Sequence, residues 1–187
     1  MIIGLTGTIA SGKGTFSNYL KQKNFNYITL SDLIREEAKK QGKEIEREVL
    51  QDIGNLMRKQ YGTGYWAKKA IEKINLNGNW IIDGIRNLGE IEEINKVENS
   101  VIIGVDAPES IRLLRLEKRN KLKEEGRKDS DPKTLEDMKR LEKRDRGFNE
   151  PEHGQQVLKC LNLADHIIIN DSSVEEFYKR IDELLRK

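Results

Sequence analysis

Five short apolar runs punctuate an otherwise charged chain, and the stretches between them follow helical spacing. The runs are Ile2-Ile3-Gly4-Leu5, Tyr27-Ile28-Thr29-Leu30, Trp80-Ile81-Ile82, Val101-Ile102-Ile103-Gly104-Val105 and Ile167-Ile168-Ile169. They are short and rich in β-branched residues, so each predicts a strand. Their unbroken apolar character is that of strands buried on both faces of a parallel sheet. Helices are predicted from Lys13 to Gln22, through a long charged region ending at Ile74, near Ile91, from Ile111 to Arg146, and from Val174 to Leu185. Parallel strands need crossover connections, and these helices supply them. The expected fold is α/β, with three α/β/α layers around a five-stranded parallel sheet.

Composition narrows this picture. A chain of 187 residues fits one domain, here residues 1–187, and 36% hydrophobic against 35% charged residues suits a hydrophilic globular protein. Cys160 is the only cysteine, and His153 and His166 are the only histidines, which argues against a disulfide framework or a dedicated metal cage. A net charge of +2 does not announce a nucleic-acid partner. No apolar run approaches the roughly 20 residues that cross a bilayer, so no membrane partner is expected. The opening Met-Ile-Ile-Gly-Leu-Thr-Gly lacks the features of a signal peptide, and a cytoplasmic location is expected. Between Arg112 and Arg146, 14 basic residues face 9 acidic ones, a local excess suited to holding an anion.

The strongest chemical signal follows the first run. Gly7-Thr8-Ile9-Ala10-Ser11-Gly12-Lys13-Gly14-Thr15 has the phosphate-loop spacing, set between a strand and a helix. Backbone N–H groups of such a loop wrap a polyphosphate, and the helix dipole adds to the anion site. Gly7, Ala10, Ser11, Gly12, Lys13, Gly14 and Thr15 are therefore candidate ATP-binding residues. Lys13 would reach the β- and γ-phosphates, and Thr15 lies where Mg2+ would sit. Asp83 ends the third run, where a buried carboxylate is costly without a task; beside a phosphate loop that task is to hold Mg2+ or its water shell. Gly84 permits a tight turn, and Arg86 would point toward a second phosphate.

Gly12-Lys13-Gly14-Thr15 is the form found in nucleoside monophosphate kinases, and the chain resembles that P-loop kinase family over nearly its whole length. It is most similar to the small adenylate-kinase-like proteins and to deoxynucleotide and dephospho-coenzyme A kinases. Ala10 and Ile9 depart from the Gly and Pro usual in adenylate kinases. The resemblance implies an acceptor-binding helical region at about 31–76 and a charged lid at about 116–148. It implies acceptor binding by Ser31-Asp32-Leu33-Ile34-Arg35, with Ser31 read as the helix cap and Arg35 on the acceptor phosphate. Asp83-Gly84-Ile85-Arg86 is similar to the family's Asp-Gly-Phe-Pro-Arg, one residue shorter and without Pro. After Asp106-Ala107-Pro108, the resemblance assigns transferred-phosphate contacts to Arg115 and then Arg119, from a helix that also carries Arg112. Arg127, Arg140 and Arg144 would close over the nucleotides. Ala164-Asp165-His166-Ile167-Ile168-Ile169-Asn170-Asp171 is similar to an element beneath the adenine, with Asn170 contacting the base. His166 and Cys160 read as structural.

Catalysis is thus assigned to Lys13, Asp83, Arg86 and Arg115, with ATP and Mg2+ as cofactors and a nucleotide as the partner; the sequence leaves the oligomeric state open. Two alternatives stand beside a nucleoside or deoxynucleoside monophosphate kinase. One is a dephospho-coenzyme A kinase, with Asp32 as base. The other is a P-loop ATPase or nucleotide-binding regulator with no small acceptor. A further similarity, to the P-loop domain preceding some deoxycytidylate deaminases, favours a deoxynucleotide or pyrimidine acceptor.

Overall fold

The structure is a computed structural model that describes residues 1–122 and 134–186. Five strands are joined in parallel in the order β2-β3-β1-β4-β5. They are β1 (Ile2–Gly7), β2 (Asn26–Thr29), β3 (Trp80–Ile85), β4 (Ser100–Asp106) and β5 (His166–Ile169). The helices are α1 (Lys13–Lys21), α2 (Leu30–Lys40), α3 (Arg47–Tyr61), α4 (Tyr65–Lys73), α5 (Leu88–Asn95), α6 (Glu109–Leu122), α7 (Leu135–Asp145), α8 (Val157–Asn162) and α9 (Val174–Leu185).

The unbroken apolar runs are explained by two cores, one on each face of the sheet. Successive strand residues point to opposite faces. Ile2, Ile82, Ile85 and Ile102 pack with Leu33, Trp66, Ala70, Ile91 and Ile94 of α2, α4 and α5. Ile3, Leu5, Ile81, Ile103 and Val105 pack instead with Phe16 and Leu20 of α1 and Phe177 and Ile181 of α9. Full burial of each such side chain is worth about 1.5–3 kcal/mol, so a period-two run fills both cores at once. Cys160 lies in the first core, and burial pushes its thiol well above the ordinary range.

The expected long helices are divided. Gly42, at φ 63, follows the end of α2, and Gly62, at φ 99, caps α3 before α4 begins. The predicted helix from Ile111 to Arg146 consists of α6 and α7, and the stretch between them lies outside the described residues. The cap of α2 also differs from the expectation. β2 runs into α2 without a loop, so Thr29, not Ser31, takes the cap position, its side chain accepting from the Ser31 N–H at 3.2 Å. Among the described residues, no helix is long and apolar enough to cross a membrane.

Candidate active site

The carboxyl ends of β1, β2 and β3 and the amino end of α1 open onto one cleft of about 930 Å³. That is the position at which open parallel sheets bind ligands. Gly12 makes the last turn of the loop at φ 110, and a Cβ there would stand 2.0 Å from Asn170 Nδ2, so the position tolerates only glycine. Helix α1 then starts with no side-chain cap and no acidic residue in its first turn. Its leading N–H groups and its positive dipole end are left to an anion.

The loop is braced from outside. Thr8 Oγ1 donates to Asp106 Oδ1 at 2.5 Å. Arg115 donates to the Ser11 carbonyl at 3.1 Å and to the Asn170 carbonyl and side chain at 3.0 and 2.9 Å. Asn170 Nδ2 donates to the same Ser11 carbonyl at 2.9 Å. Asn170 therefore stands behind the loop, whereas Arg115 also lines the cleft. Arg112, almost wholly buried, donates to the carbonyls of Ala107 and Ile9 and to Glu142 of α7 at 2.6 Å.

Within the cleft, Lys13 Nζ folds back onto the carbonyls of Gly7 and Thr8 at 2.8 and 2.9 Å. Burial lowers its pKa to about 8, with the Asp83 charge working in the other direction. Asp83 is 8% exposed. Tyr27 Oη donates to its Oδ2 at 2.7 Å, while its buried Oδ1 has no hydrogen-bond partner. Beside it the register of β1 and β3 shifts, with Leu5 opposite Asp83 and Thr6 opposite Ile85. Gly84 is the extra residue, at φ 91, and this bulge turns the chain toward Arg86.

The cleft is also lined by Ser31 and Arg35 of α2, Arg47 at the start of α3, and Arg86 after β3, and the charges of Arg86, Asp145 and Arg47 reach Lys13. Arg47 Nη2 and Arg86 Nη1 both donate to Asp145 Oδ2, each at 2.5 Å, and Gln51 donates to Oδ1 at 2.6 Å. Burial alone would raise the Asp145 carboxyl, but the guanidiniums of Arg47 and Arg86 hold it below its ordinary range. Glu90 organises the same turn. It accepts from the N–H groups of Arg86 and Asn87 and from Arg58 Nε at 2.8 Å.

Most of the sequence-predicted residues are brought together: Gly7, Ala10 to Thr15, Ser31, Arg35, Asp83, Arg86 and Arg115 all line this cleft. Several do not line it. Asp32 faces Arg35 at 3.4 Å from the first turn of α2. Arg140 is exposed and pairs with Glu48 and Asp137. Arg144 bonds Glu150, Asp52 and Gln51, tying α7 to α3. The side chain of Arg119 and the whole of Arg127 lie outside the described residues. Lys21, Tyr27, Arg47, Lys118 and Asp145 line the cleft although the sequence did not single them out. One signal was available for Arg47: a cation in the first turn of a helix opposes the dipole.

Seven basic side chains and two carboxylates line the cleft, so its field favours a polyanion. As a cation site, the unpartnered, buried Oδ1 of Asp83 and the hydroxyl of Thr15, which lines the same cleft, offer the hard oxygen donors that Mg2+ requires. The residues fit the ion.

A family profile described as an AAA domain matches residues 3–153. A UPF0200 protein of Sulfurisphaera tokodaii is 43% identical over 186 residues, covering 100% of this chain and 96% of the relative. The chain belongs to the UPF0200 family of AAA-domain proteins. Another UPF0200 protein, from Pyrococcus horikoshii, is 31% identical over 194 residues, covering 100% and 97%. Shikimate kinase from Aquifex aeolicus shares the fold at a TM-score of 0.52 and 19% identity, covering 100% of this chain and 96% of that one. Shikimate kinase from Bacteroides thetaiotaomicron does so at a TM-score of 0.55 and 16% identity, covering 100% and 99%. The UPF0200 fold is thus that of P-loop kinases: a five-stranded parallel sheet with flanking helices.

Proposed function

We propose that this UPF0200 chain is an ATP-dependent phosphotransferase whose acceptor is a nucleoside or deoxynucleoside monophosphate. The observation that carries the reading is one cleft that gathers the phosphate loop and Lys13 together with Arg35, Arg47 and Arg86. The charges of Arg86 and Arg47 reach Lys13, so a donor triphosphate and an anionic acceptor can be held side by side there.

Transfer to an existing phosphate needs no strong base, because the attacking oxygen is already ionised. The barrier is positional and electrostatic. The loop N–H groups and the start of α1 would grip the triphosphate. Lys13 would leave the carbonyls of Gly7 and Thr8 for the β- and γ-phosphates. Arg115 would offset charge developing on the transferred group, and Arg35 and Arg86 would orient the acceptor. Thr15 and Asp83 would hold Mg2+, which when bound supplies charge neutralisation across the phosphates. A lid over about 116–148 belongs to the same proposal; Arg115 and Lys118 of α6 line the cleft at its edge.

The test is ADP release from Mg–ATP, measured by a coupled assay with ribo- and deoxynucleoside monophosphates and with dephospho-coenzyme A. Acceptor-dependent turnover with a monophosphate is the expected result. Hydrolysis that no acceptor stimulates would turn the reading to an ATPase, and turnover only with dephospho-coenzyme A would turn it to the other kinase.

A further inference from the structure

Asp145 is a side chain without an obvious reason to be where it is. It is 3% exposed, and it lies within the basic run Lys143-Arg144-Asp145-Arg146. It projects from the last turn of α7, the end of the helix dipole that disfavours an anion. It nevertheless receives hydrogen bonds from Arg47, Arg86 and Gln51, on α3 and on the segment after β3. Two guanidiniums that share one carboxylate oxygen at 2.5 Å each stand within about 5 Å of one another, a spacing at which like charges repel unless an anion lies between them. Both also line the cleft that holds the phosphate loop, and their charges reach Lys13.

We propose that Arg47 and Arg86, yoked by Asp145, form a two-guanidinium clamp for a dianionic phosphate monoester on the acceptor, with Arg47 a binding residue and Asp145 a positioning residue. This rests on the phosphotransfer reading and adds to it a binding residue, Arg47, and a positioning residue, Asp145. Guanidinium forks match the oxygens of a phosphate, and a pair of them outbids water for a dianion more than for a monoanion. Holding both side chains in place before the acceptor arrives removes rotamer entropy from the cost of binding. The Asp145 charge opposes an incoming anion, so the clamp requires that the ordering it imposes outweigh that repulsion. Gln51 fixes the second carboxylate oxygen and completes the yoke.

Calorimetric titration of the full chain separates the parts. Mg–ADP is bound first, filling the phosphate loop, and inorganic phosphate is then titrated into the complex, with acetate as the monoanion control. Arg47→Ala and Arg86→Ala each weaken phosphate binding by about tenfold or more, and the double variant loses little beyond either single one, because a single group is gripped jointly. Asp145→Asn weakens phosphate by about threefold or more while Mg–ADP binding is kept; simple removal of a negative charge predicts the opposite sign. Gln51→Leu shifts phosphate affinity in the same direction, and it serves where Asp145→Asn does not fold. Failure of the wild-type chain to bind Mg–ADP would sink the phosphotransfer reading. Intact Mg–ADP binding with phosphate indifferent to Arg47, tighter phosphate binding in Asp145→Asn, or acetate bound as well as phosphate would each overturn the clamp alone.

Discussion

Tyr27 Oη donates to Asp83 Oδ2 at 2.7 Å, which commits one oxygen of the carboxylate and leaves the buried Oδ1 without a hydrogen-bond partner. The tyrosine thereby fixes the orientation of the carboxylate, and Oδ1 is the oxygen left over for a cation on the proposed reading. Tyr27→Phe deletes one charge-assisted hydrogen bond and keeps the ring that stacks beneath Lys21. The loss is about 1–2 kcal/mol of carboxylate ordering. The magnesium concentration for half-maximal nucleotide binding should rise several-fold, with metal-free nucleotide binding unchanged. An identical magnesium dependence in the variant would remove Asp83 from the cation site.

Lys13 links nucleotide binding to pH. Its pKa in the free protein is about 8, below the ordinary value of 10.5 because the ammonium is desolvated. A bound triphosphate favours the charged form, so binding above pH 8 takes up a proton, and affinity falls as pH rises through that region. Calorimetry in two buffers of different ionisation enthalpy should register this uptake near pH 8.5 and little of it at pH 6.5.

The same shift has a stability consequence. A lysine whose folded pKa lies below its unfolded one destabilises the fold in its charged form. The penalty is full below about pH 8 and disappears as pH climbs through 10.5. Discounted for partial exposure, it is on the order of 2 kcal/mol. Lys13→Met should therefore melt at a higher temperature than the parent at pH 7, with the gap closing toward pH 10.5, while losing turnover. A lower melting temperature at pH 7 would contradict the assignment of a desolvated ammonium.

Arg58 and Glu90 form an ion pair with side chains 1% and 0% exposed. Removing one partner strands the other charge inside the protein, at a cost of about 3–5 kcal/mol. Arg58→Met should show that loss in urea denaturation. Glu90→Gln should also raise the KM for the acceptor, because Glu90 holds the Arg86 N–H. A double Arg58→Met, Glu90→Gln variant should recover part of the stability, because it removes both buried charges and keeps an acceptor for the Arg86 and Asn87 N–H groups.

Arg112→Lys tests the outer brace of the phosphate loop. One ammonium cannot span the carbonyls of Ala107 and Ile9 and the Glu142 carboxylate together. ATP affinity should fall by about tenfold, since a looser loop must be ordered on binding. Affinity unchanged alongside a lowered melting temperature would confine Arg112 to stability.

The parts of this site legible in the sequence are those built from neighbouring residues. Gly7 to Thr15 is contiguous, and Asp83 and Arg86 follow one strand directly, so spacing alone exposes them. Helix α9 occupies the predicted span, Val174 to Leu185, because its apolar residues keep one face. Asp145 and Arg47 are 98 positions apart; no local pattern brings such a pair together. Arg140 and Arg144 carry the same sequence signal as the cleft arginines. What distinguishes them is the presence of Glu48 and Asp52 on the facing helix, 92 positions away in each case. Ser31 and Thr29 are both good caps, and the absence of a loop between β2 and α2 decided between them.

Glu142 and Asp145 stand one turn apart on α7, the first reaching the phosphate loop through Arg112 and the second reaching Arg47 and Arg86. A tilt of that helix slackens both grips together. On the proposed phosphotransfer reading, a substitution near residue 145 that tilts α7 would disturb the Arg112 brace of the phosphate loop as well, so Arg47, Arg86 and Arg112 must be retuned as a unit.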